Sequence, residues 1–351
     1  MRVVQVLGSS AGGVARHVAQ VTAELTAAGE QVLVAGPSSV RSTVLGDGGR
    51  FVPVEIADRP HASDLVAIRE LARAARDADV VHAHGLRAGA LTVLAVRRRT
   101  RVVVTLHNLP VGGRAIRTVS AVLGRVVARG ADVVLGVSGD LVALARSQGA
   151  RRAERALVPA PARREPGQTP AQTRAELGLA ADTPLAVTVA RLAPQKGLDT
   201  LVRAASGVTV PGFVWLLAGD GPLESEVRAQ AESSGAPVRV LGRREDVPEL
   251  IAAADVVVST AVWEGQPLAV QEALGLGAAV VATDAGGTRE VTEDAAVLVP
   301  VGDDDALATA IRDVLTDHDQ RERLRAAARD RVAQLPTPAD VLTQLRSIYR
   351  V

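Results

Sequence analysis

Five short apolar runs punctuate the first half of the chain: "RVVQVLG" (2–8), "QVLVAGP" (31–37), "DVVHAHG" (79–85), "RVVVTLH" (101–107) and "DVVLGVS" (132–138). Each is rich in valine and most end in Gly, Ser or His, so each predicts a short buried strand. Between them, "GVARHVAQVTAELTAAG" (13–29) and "DLVAIRELARAARDA" (64–78) read as amphipathic helices. Strands that are apolar on both faces and alternate with helices predict an α/β fold on a parallel, doubly wound sheet.

The alternation breaks at "VPAPARREPGQTPAQTRAELGLAADTP" (158–184), which holds five of the 18 prolines and no strand signal. Its early part reads as an interdomain linker, and "PAQTRAELGL" (170–179) as a short helix entering a second domain. The pattern resumes with "LAVTVAR" (185–191), "FVWLLAG" (213–219), "VRVLG" (238–242), "DVVVST" (255–260), "AAVVATD" (278–284) and "AAVLVP" (295–300). Two tandem βαβ domains, 1–165 and 166–337, therefore account for nearly the whole chain. Sheets of this kind bind ligands at the carboxyl ends of their strands, and two facing sheets make the cleft between them the expected site.

Composition adds bounds to this picture. A length of 351 residues suits two domains. Aromatic residues are only 1%, so the core must be built from Val, Leu and Ala. Heavy use of Ala, Arg, Gly and Val points to a GC-rich, bacterial genome. The absence of cysteine excludes disulfides and thiolate metal sites. The opening "MRVVQVLG" is too short an apolar run for a signal peptide, and no uninterrupted apolar stretch of about 18 residues occurs. A cytoplasmic protein without a transmembrane helix is expected. The net charge of +1 hides an asymmetry, since residues 1–165 hold 23 Arg against 13 Asp and Glu, and the remainder 17 basic against 26 acidic residues. The halves carry +10 and −9 and so have different electrostatic neighbours.

Candidate chemistry falls at strand ends. In "LGSSAGGVARHV" the pair Gly12-Gly13 opens a helix, where backbone N–H groups can aim at an anion. The spacing fits neither G-x-G-x-x-G nor a Walker A loop, so a purely structural turn is an equal reading. Three of the six histidines, His82, His84 and His107, end strands, and the first two share a face. A zinc site lacks a third ligand there, so these residues read as polar site groups or as satisfied core histidines.

In "ARLAPQKG" (190–197) Arg191 ends a strand and Lys196 follows in the loop. Lys196 is the only lysine among 40 basic residues, which weakens the reading of a neutral surface charge. A planar guanidinium and a compact ammonium together suit a diphosphate. The strongest constellation is "WEGQPLAVQEALGLGAAVVATDAGG" (263–287), with Glu264 after a strand, Pro267 suited to the first turn of a helix, and Glu272 inside it. Within one helix that eight-residue step would span about 12 Å, whereas dividing it between loop and helix lets both carboxylates reach one elongated ligand. Free N–H groups around Gln266, Pro267 and Leu268 would face an anion, although Pro267 itself donates nothing. The acidic "GDDDA" (302–306) reads as a helix N-cap rather than a metal site.

Together, Gly12-Gly13, "VVHAHG", "VTLH", "VARLAPQKG", "AGDGP" and "EGQPLAVQEALGLGAAVVAT" make the chain resemble the retaining family-4 glycosyltransferases of the GT-B fold, with two Rossmann-like domains. The resemblance implies a sugar moved from a UDP- or GDP-sugar to an acceptor hydroxyl by front-face substitution, with lipid-linked and cell-envelope glycans among the candidate acceptors. It implies that Arg191 and Lys196 neutralise the leaving diphosphate, that Glu272 binds the ribose, and that Glu264 binds donor-sugar hydroxyls. It further implies backbone contacts at Gln266, Pro267 and Leu268, and a nucleotide near Gly219, Gly242 and Arg243. His107 would sit near the anomeric centre and Gly13 near the phosphates, with Gly12, His84 and Ser138 as weaker acceptor-side candidates. No metal or other cofactor is implied, and the last segment (338–351) would pack back on the first domain.

Two departures stand out. Gln266-Pro267 replaces the usual Phe-Gly, and "VPAPARR" replaces the usual Pro-Asn-Gly-Val-Asp at the junction. The basic first domain, including "RRRTR" (97–101), Arg114, Arg117, Arg125 and Arg129, would face an anionic acceptor or the cytoplasmic leaflet, or be merely solvated. A sugar-nucleotide sensor or scaffold, or another GT-B enzyme such as an epimerase, is the rival reading.

Overall fold

The computed structural model describes the whole chain except residues 10, 11, 46–48, 58, 97, 98, 110–112, 162, 163 and 351. Arg97 and Arg98 of the basic run, Ser10 and Ala11 of the first turn, and Ala162 and Arg163 of the junction therefore lie outside the described residues. Two compact units emerge, one formed by Met1–Pro159 with Pro336–Val351 and the other by Ala160–Leu335.

The first unit is built on seven parallel strands: β1 (Arg2–Leu7), β2 (Gln31–Gly36), β3 (Arg50–Pro53), β4 (Val80–His84), β5 (Arg101–Leu106), β6 (Val133–Gly136) and β7 (Ala153–Arg155). Their order is β3-β2-β1-β4-β5-β6-β7. All five strands expected from valine-rich runs are present. The two that the pattern did not announce, β3 and β7, are the sheet edges. An edge strand pairs on one side only and needs few apolar residues, so "RFVP" and "AER" leave no periodic signal.

The second unit carries β8 (Leu185–Val189), β9 (Val214–Ala218), β10 (Val238–Gly242), β11 (Val256–Ser259), β12 (Val280–Thr283) and β13 (Val297–Val299). They are ordered β10-β9-β8-β11-β12-β13, all parallel. All six match expected runs. Helices cover both faces, and two apolar layers result, one around Trp215, Leu201 and Ile311 and the other around Leu185, Leu250 and Leu274. Trp215 is fully buried, and its indole N–H donates to Thr188 Oγ1 at 3.0 Å, so the ring's one polar atom is satisfied.

The last helix, Pro338–Arg350, belongs to the first unit and packs on the helix Gly13–Ala27. Val341, Leu345, Ile348 and Tyr349 are its buried face. Arg346 pairs with Glu30 at 3.0 Å, and Glu30 also receives the N-terminal ammonium at 2.5 Å. The Gln344 side chain donates to the Arg155 carbonyl at 2.7 Å and accepts the Leu157 N–H at 2.8 Å. The C-terminal segment is thus tied to both ends of the unit that the chain left at residue 159.

Candidate active site

In each sheet the strand order reverses direction beside the first strand, between β1 and β4 in one and between β8 and β11 in the other. Connections on either side of such a point leave in opposite directions and open a crevice at the strands' carboxyl ends. In the second unit that crevice is a pocket of about 390 Å³ whose lining includes Thr188, Lys196, Thr260, Glu264 and Pro267.

Backbone packing sets the position of Lys196. The lysine ends a single 3-10 turn, Pro194–Lys196, and Gly197 follows with φ of 60°. A β-carbon at Gly197 would lie 2.1 Å from the Thr260 carbonyl oxygen, so the loop seats itself against β11 only because this residue is glycine. Thr260 Oγ1 donates to the Lys196 carbonyl at 2.7 Å, and the Val262 N–H donates to the Gln195 carbonyl at 2.9 Å. On the opposite side, the Gly287 N–H donates to the Glu264 carbonyl at 2.7 Å. A β-carbon at Gly286 would meet that same oxygen at 2.2 Å. Segment 260–264 is therefore held between two loops, and the Lys196 ammonium donates to the Glu264 carboxylate in an ion pair.

Of the expected donor-side residues, Lys196, Glu264 and Pro267 line this pocket, while Arg191, Gly219, Gly242, Arg243, Gln266, Leu268 and Glu272 stand outside its lining. Arg191 is exposed and forms no ion pair with any described residue. The Gly219 N–H donates to the Gly242 carbonyl at 2.8 Å, which joins those two glycines, and Arg243 beside them is exposed. Gln266 Oε1 accepts from Gln271 Nε2 at 2.7 Å. The helix Leu268–Gly275 starts after Pro267, which occupies the cap position rather than the first turn, and Glu272 lies half-buried on that helix. Glu264 and Glu272 are thus split between loop and helix. Asp303 caps the helix Asp304–Thr316 by accepting the Ala306 N–H at 2.9 Å, which accounts for "GDDDA".

At the switch point of the first unit the residues are polar but uncharged. Gln5 lies opposite His82, and His84 opposite Thr105, so Gln5, His82, His84 and Thr105 share one face of the sheet, with His107 just past the end of β5. The bonds run diagonally between strands. His84 Nε2 meets Gln5 Oε1 at 2.7 Å, and His82 Nε2 meets Thr105 Oγ1 at 2.7 Å. Tyr349 brings its hydroxyl from the C-terminal helix to 2.7 Å from His82 Nδ1 and 3.3 Å from Gln5 Nε2. His84 Nδ1 lies 3.2 Å from His107 Nε2. His17, on the helix Gly13–Ala27, sets its ring edge-on to both His84 and His107, with centroids 5.8 and 5.5 Å away.

Burial without a counter-charge removes the charged form of these rings. It lowers His17 to about 4 and His82 to about 3, and holds His84 and His107 well below the ordinary histidine range. Neighbouring imidazoles add to the shift at the last three. Burial likewise raises the Tyr349 phenol. Gly12 and Gly13 are exposed at the helix start, Gly12 with φ of 89°. His84 is buried behind half-buried His107, and Ser138 is buried with its hydroxyl donated to Asp140. Among the described residues no three His, Asp or Glu side chains converge as a metal-holding group. Sequence reasoning passed over Gln5, His17, Thr105 and Tyr349. Two carried a signal, Gln5 as the lone polar residue inside "VVQVL" and Tyr349 as the chain's only tyrosine.

Twin doubly wound sheets, one with an ion-paired pocket at its switch point, define a GT-B protein. Residues 171–331 match the family model described as glycosyl transferases group 1, and residues 12–161 match that of the glycosyl transferase 4-like domain. The chain belongs to the family-4 type of group 1 glycosyltransferases.

The chain is 34% identical over 172 residues to a GDP-mannose-dependent monoacylated alpha-(1-6)-phosphatidylinositol monomannoside mannosyltransferase of Corynebacterium glutamicum, covering 46% of this chain and 45% of that one. It spans about half the length of the first curated relatives it matches. A longer match, 28% identical and covering 92% of this chain and 86% of the other, is to the phosphatidyl-myo-inositol mannosyltransferase of Mycolicibacterium smegmatis. In fold it is similar to Anabaena Alr3699/HepE in complex with UDP and glucose, with a TM-score of 0.81 at 20% identity over 99% of both chains.

Proposed function

We propose that the protein is a glycosyltransferase that moves a sugar from a nucleoside-diphosphate donor, a UDP- or GDP-sugar, to an acceptor hydroxyl with retention at the anomeric carbon. The observation that carries this reading is the single lysine of the chain, fixed against Glu264 in the switch-point pocket. An ammonium held there by backbone packing suits a diphosphate, and the pairing keeps it compensated until one arrives. On donor binding Lys196 exchanges the carboxylate for phosphate oxygens, joined by the unpaired guanidinium of Arg191. Glu264 is then free to accept donor-sugar hydroxyls, while Glu272 takes the ribose, and Gln266 to Leu268, Gly219, Gly242 and Arg243 line the nucleotide side. Gly12 and Gly13 offer backbone N–H groups to phosphate, and His107 serves the donor sugar.

In the reaction, the bond from the anomeric carbon to the diphosphate oxygen breaks. The acceptor oxygen bonds to that carbon on the same face, and its proton passes to the departing phosphate. Stabilising the leaving charge is the dominant contribution, and no metal is called for.

The mannosyltransferase names among the relatives make GDP-mannose the first donor to test and an inositol phospholipid the first acceptor. The helix Arg114–Gly130 supports a peripheral membrane contact at the cytoplasmic leaflet. It exposes Ile116, Val119 and Val122 on one stripe, beside Arg114, Arg117, Arg125 and Arg129. No helix among the described residues is long and apolar enough to cross a membrane.

Release of nucleoside diphosphate from a donor panel, with and without lipid acceptor, tests the activity. Tight donor binding without turnover on any acceptor would favour a sensor instead. Failure to sediment with anionic vesicles at low salt would remove the membrane contact.

A further inference from the structure

The five hydrogen bonds at the first unit's switch point form one chain, and their chemistry sets the direction of every proton in it. We propose that Tyr349, through Gln5 and His84, is a positioning residue that locks His107 in the tautomer protonated on Nε2, leaving Nδ1 as a bare acceptor for a ligand hydroxyl. The proposal rests on the reading of His107 as a donor-sugar residue.

The argument starts at Gln5, which is fully buried. Its amide oxygen is 2.7 Å from His84 Nε2 and its amide nitrogen 3.3 Å from the Tyr349 hydroxyl. In this orientation the amide nitrogen faces the phenol and the amide oxygen faces His84, and an amide oxygen only accepts. His84 must donate from Nε2. A neutral imidazole carries one proton, so His84 Nδ1 is an acceptor, and His107 Nε2, at 3.2 Å, must donate to it. His107 has then spent its only proton. Its Nδ1 holds a lone pair and makes no bond with any described residue.

Tyr349 anchors the other end. Its oxygen accepts the Gln5 amide N–H and its proton goes to His82 Nδ1, which leaves His82 Nε2 to donate to Thr105 Oγ1. The phenol is the group that holds Gln5 in its orientation, because Gln5 Nε2 has no other hydrogen-bond partner among the described residues. Removing that oxygen frees the amide to turn, and a turned amide donates to His84 and reverses every proton up to His107. The rings themselves need not move, since strand register holds His82 and His84 in place. A ligand hydroxyl would donate to His107 Nδ1 in the first polarity and would have to accept from its N–H in the second, which reverses the polarisation of the hydroxyl.

Nitrogen-15 spectra of histidine-labelled protein read the tautomer directly, without turnover. In the wild type His107 is expected to show a pyridine-type Nδ1 and a pyrrole-type Nε2. In Tyr349→Phe the two signals should move toward a mixture, while thermal stability reports whether the variant folds. A protonated Nδ1 on His107 in the wild type overturns the proposal without any variant. An unchanged His107 tautomer in folded Tyr349→Phe overturns the role of Tyr349. Turnover in that variant should fall about tenfold or more, the usual scale for losing the group that orients a functional imidazole. If instead the tautomer shifts and His107→Ala turns over normally, the hydrogen-bond chain stands and the assignment of His107 to the sugar fails.

Discussion

At the switch point of the second unit an ammonium and a carboxylate meet at half-buried positions, whereas at that of the first unit four imidazoles, an amide and a phenol lie together uncharged. Strand order is the same at both places, with later strands added on opposite sides of the first. Topology therefore decides where a crevice forms, and the side chains at the strand ends decide what it can hold. Lys196 and Glu264 each have the other as a counter-charge, and both are partly exposed. No described carboxylate pairs with the histidines, so desolvation keeps them neutral, each with one ring N–H, and leaves a hydrogen-bonding surface that suits hydroxyls.

The sharpest way to break this contrast is Lys196→Arg. Everywhere else the sequence writes its positive charge as arginine, so a role of charge alone would tolerate the change. The turn that carries Lys196 is sewn to Thr260 and Val262, which leaves a wider, planar group no room to withdraw. Release of nucleoside diphosphate is expected to drop about a hundredfold or more, the scale of losing one preorganised donor to a leaving group. Turnover near the wild-type rate would reduce the second switch point to an ordinary ion pair.

Acid should separate the two units. A buried neutral histidine binds its proton less readily in the folded chain than in the unfolded one. The stability it contributes is full above the unfolded value of 6.5 and is lost as pH falls toward the folded value. For His17, which falls to about 4, that window runs from pH 6.5 to 4 and is worth about 3 kcal/mol. His82, His84 and His107 add in the same direction. The second unit has only His318, so nothing comparable acts there. Hydrogen exchange at pH 7 and pH 5 should show protection failing in β1, β4 and β5 while β8 and β11 hold. Loss of both sheets together would contradict the contrast.

These two results would also mark what the chain reveals before it folds. The central strands were legible because burial on both faces leaves only valine-rich runs, and Lys196, Glu264 and Glu272 because charges at strand ends are conspicuous in such a background. The polar chain of the first unit was not legible. Its long links join residues 79, 267 and 344 positions apart along the chain, and the decisive orientation is that of one amide. Composition marked its two middle members, the interior Gln5 and the sole tyrosine, but only three-dimensional proximity joins them. The Lys196–Glu264 pair was likewise hidden, because Arg191 seemed the closer companion in sequence and the loop packing at Gly197 and Gly286 carries no periodicity.

A milder change sharpens the second switch point from within. Arg191 is exposed and pairs with no described residue, so Arg191→Lys keeps a charge that no described residue orients. Activity should fall by less than about tenfold, about 1.4 kcal/mol, well short of the Lys196→Arg loss. Equal losses in the two variants would mean that a fork at Arg191, and not the fixed ammonium, is what the diphosphate requires.

The smallest effect offers the cleanest view of the pocket itself. The chain has two tryptophans, Trp215 in the core with its N–H on Thr188 and Trp263 next to Glu264. A nucleotide that draws Lys196 away from Glu264 changes the charge beside Trp263, whereas Trp215 is fully buried and reaches the pocket only through Thr188. Titration with UDP and GDP should therefore alter the fluorescence of the wild type and leave most of that response missing in Trp263→Phe, with stability changed by no more than about 1 kcal/mol. A response that survives undiminished in Trp263→Phe would place the ligand away from the Glu264 loop.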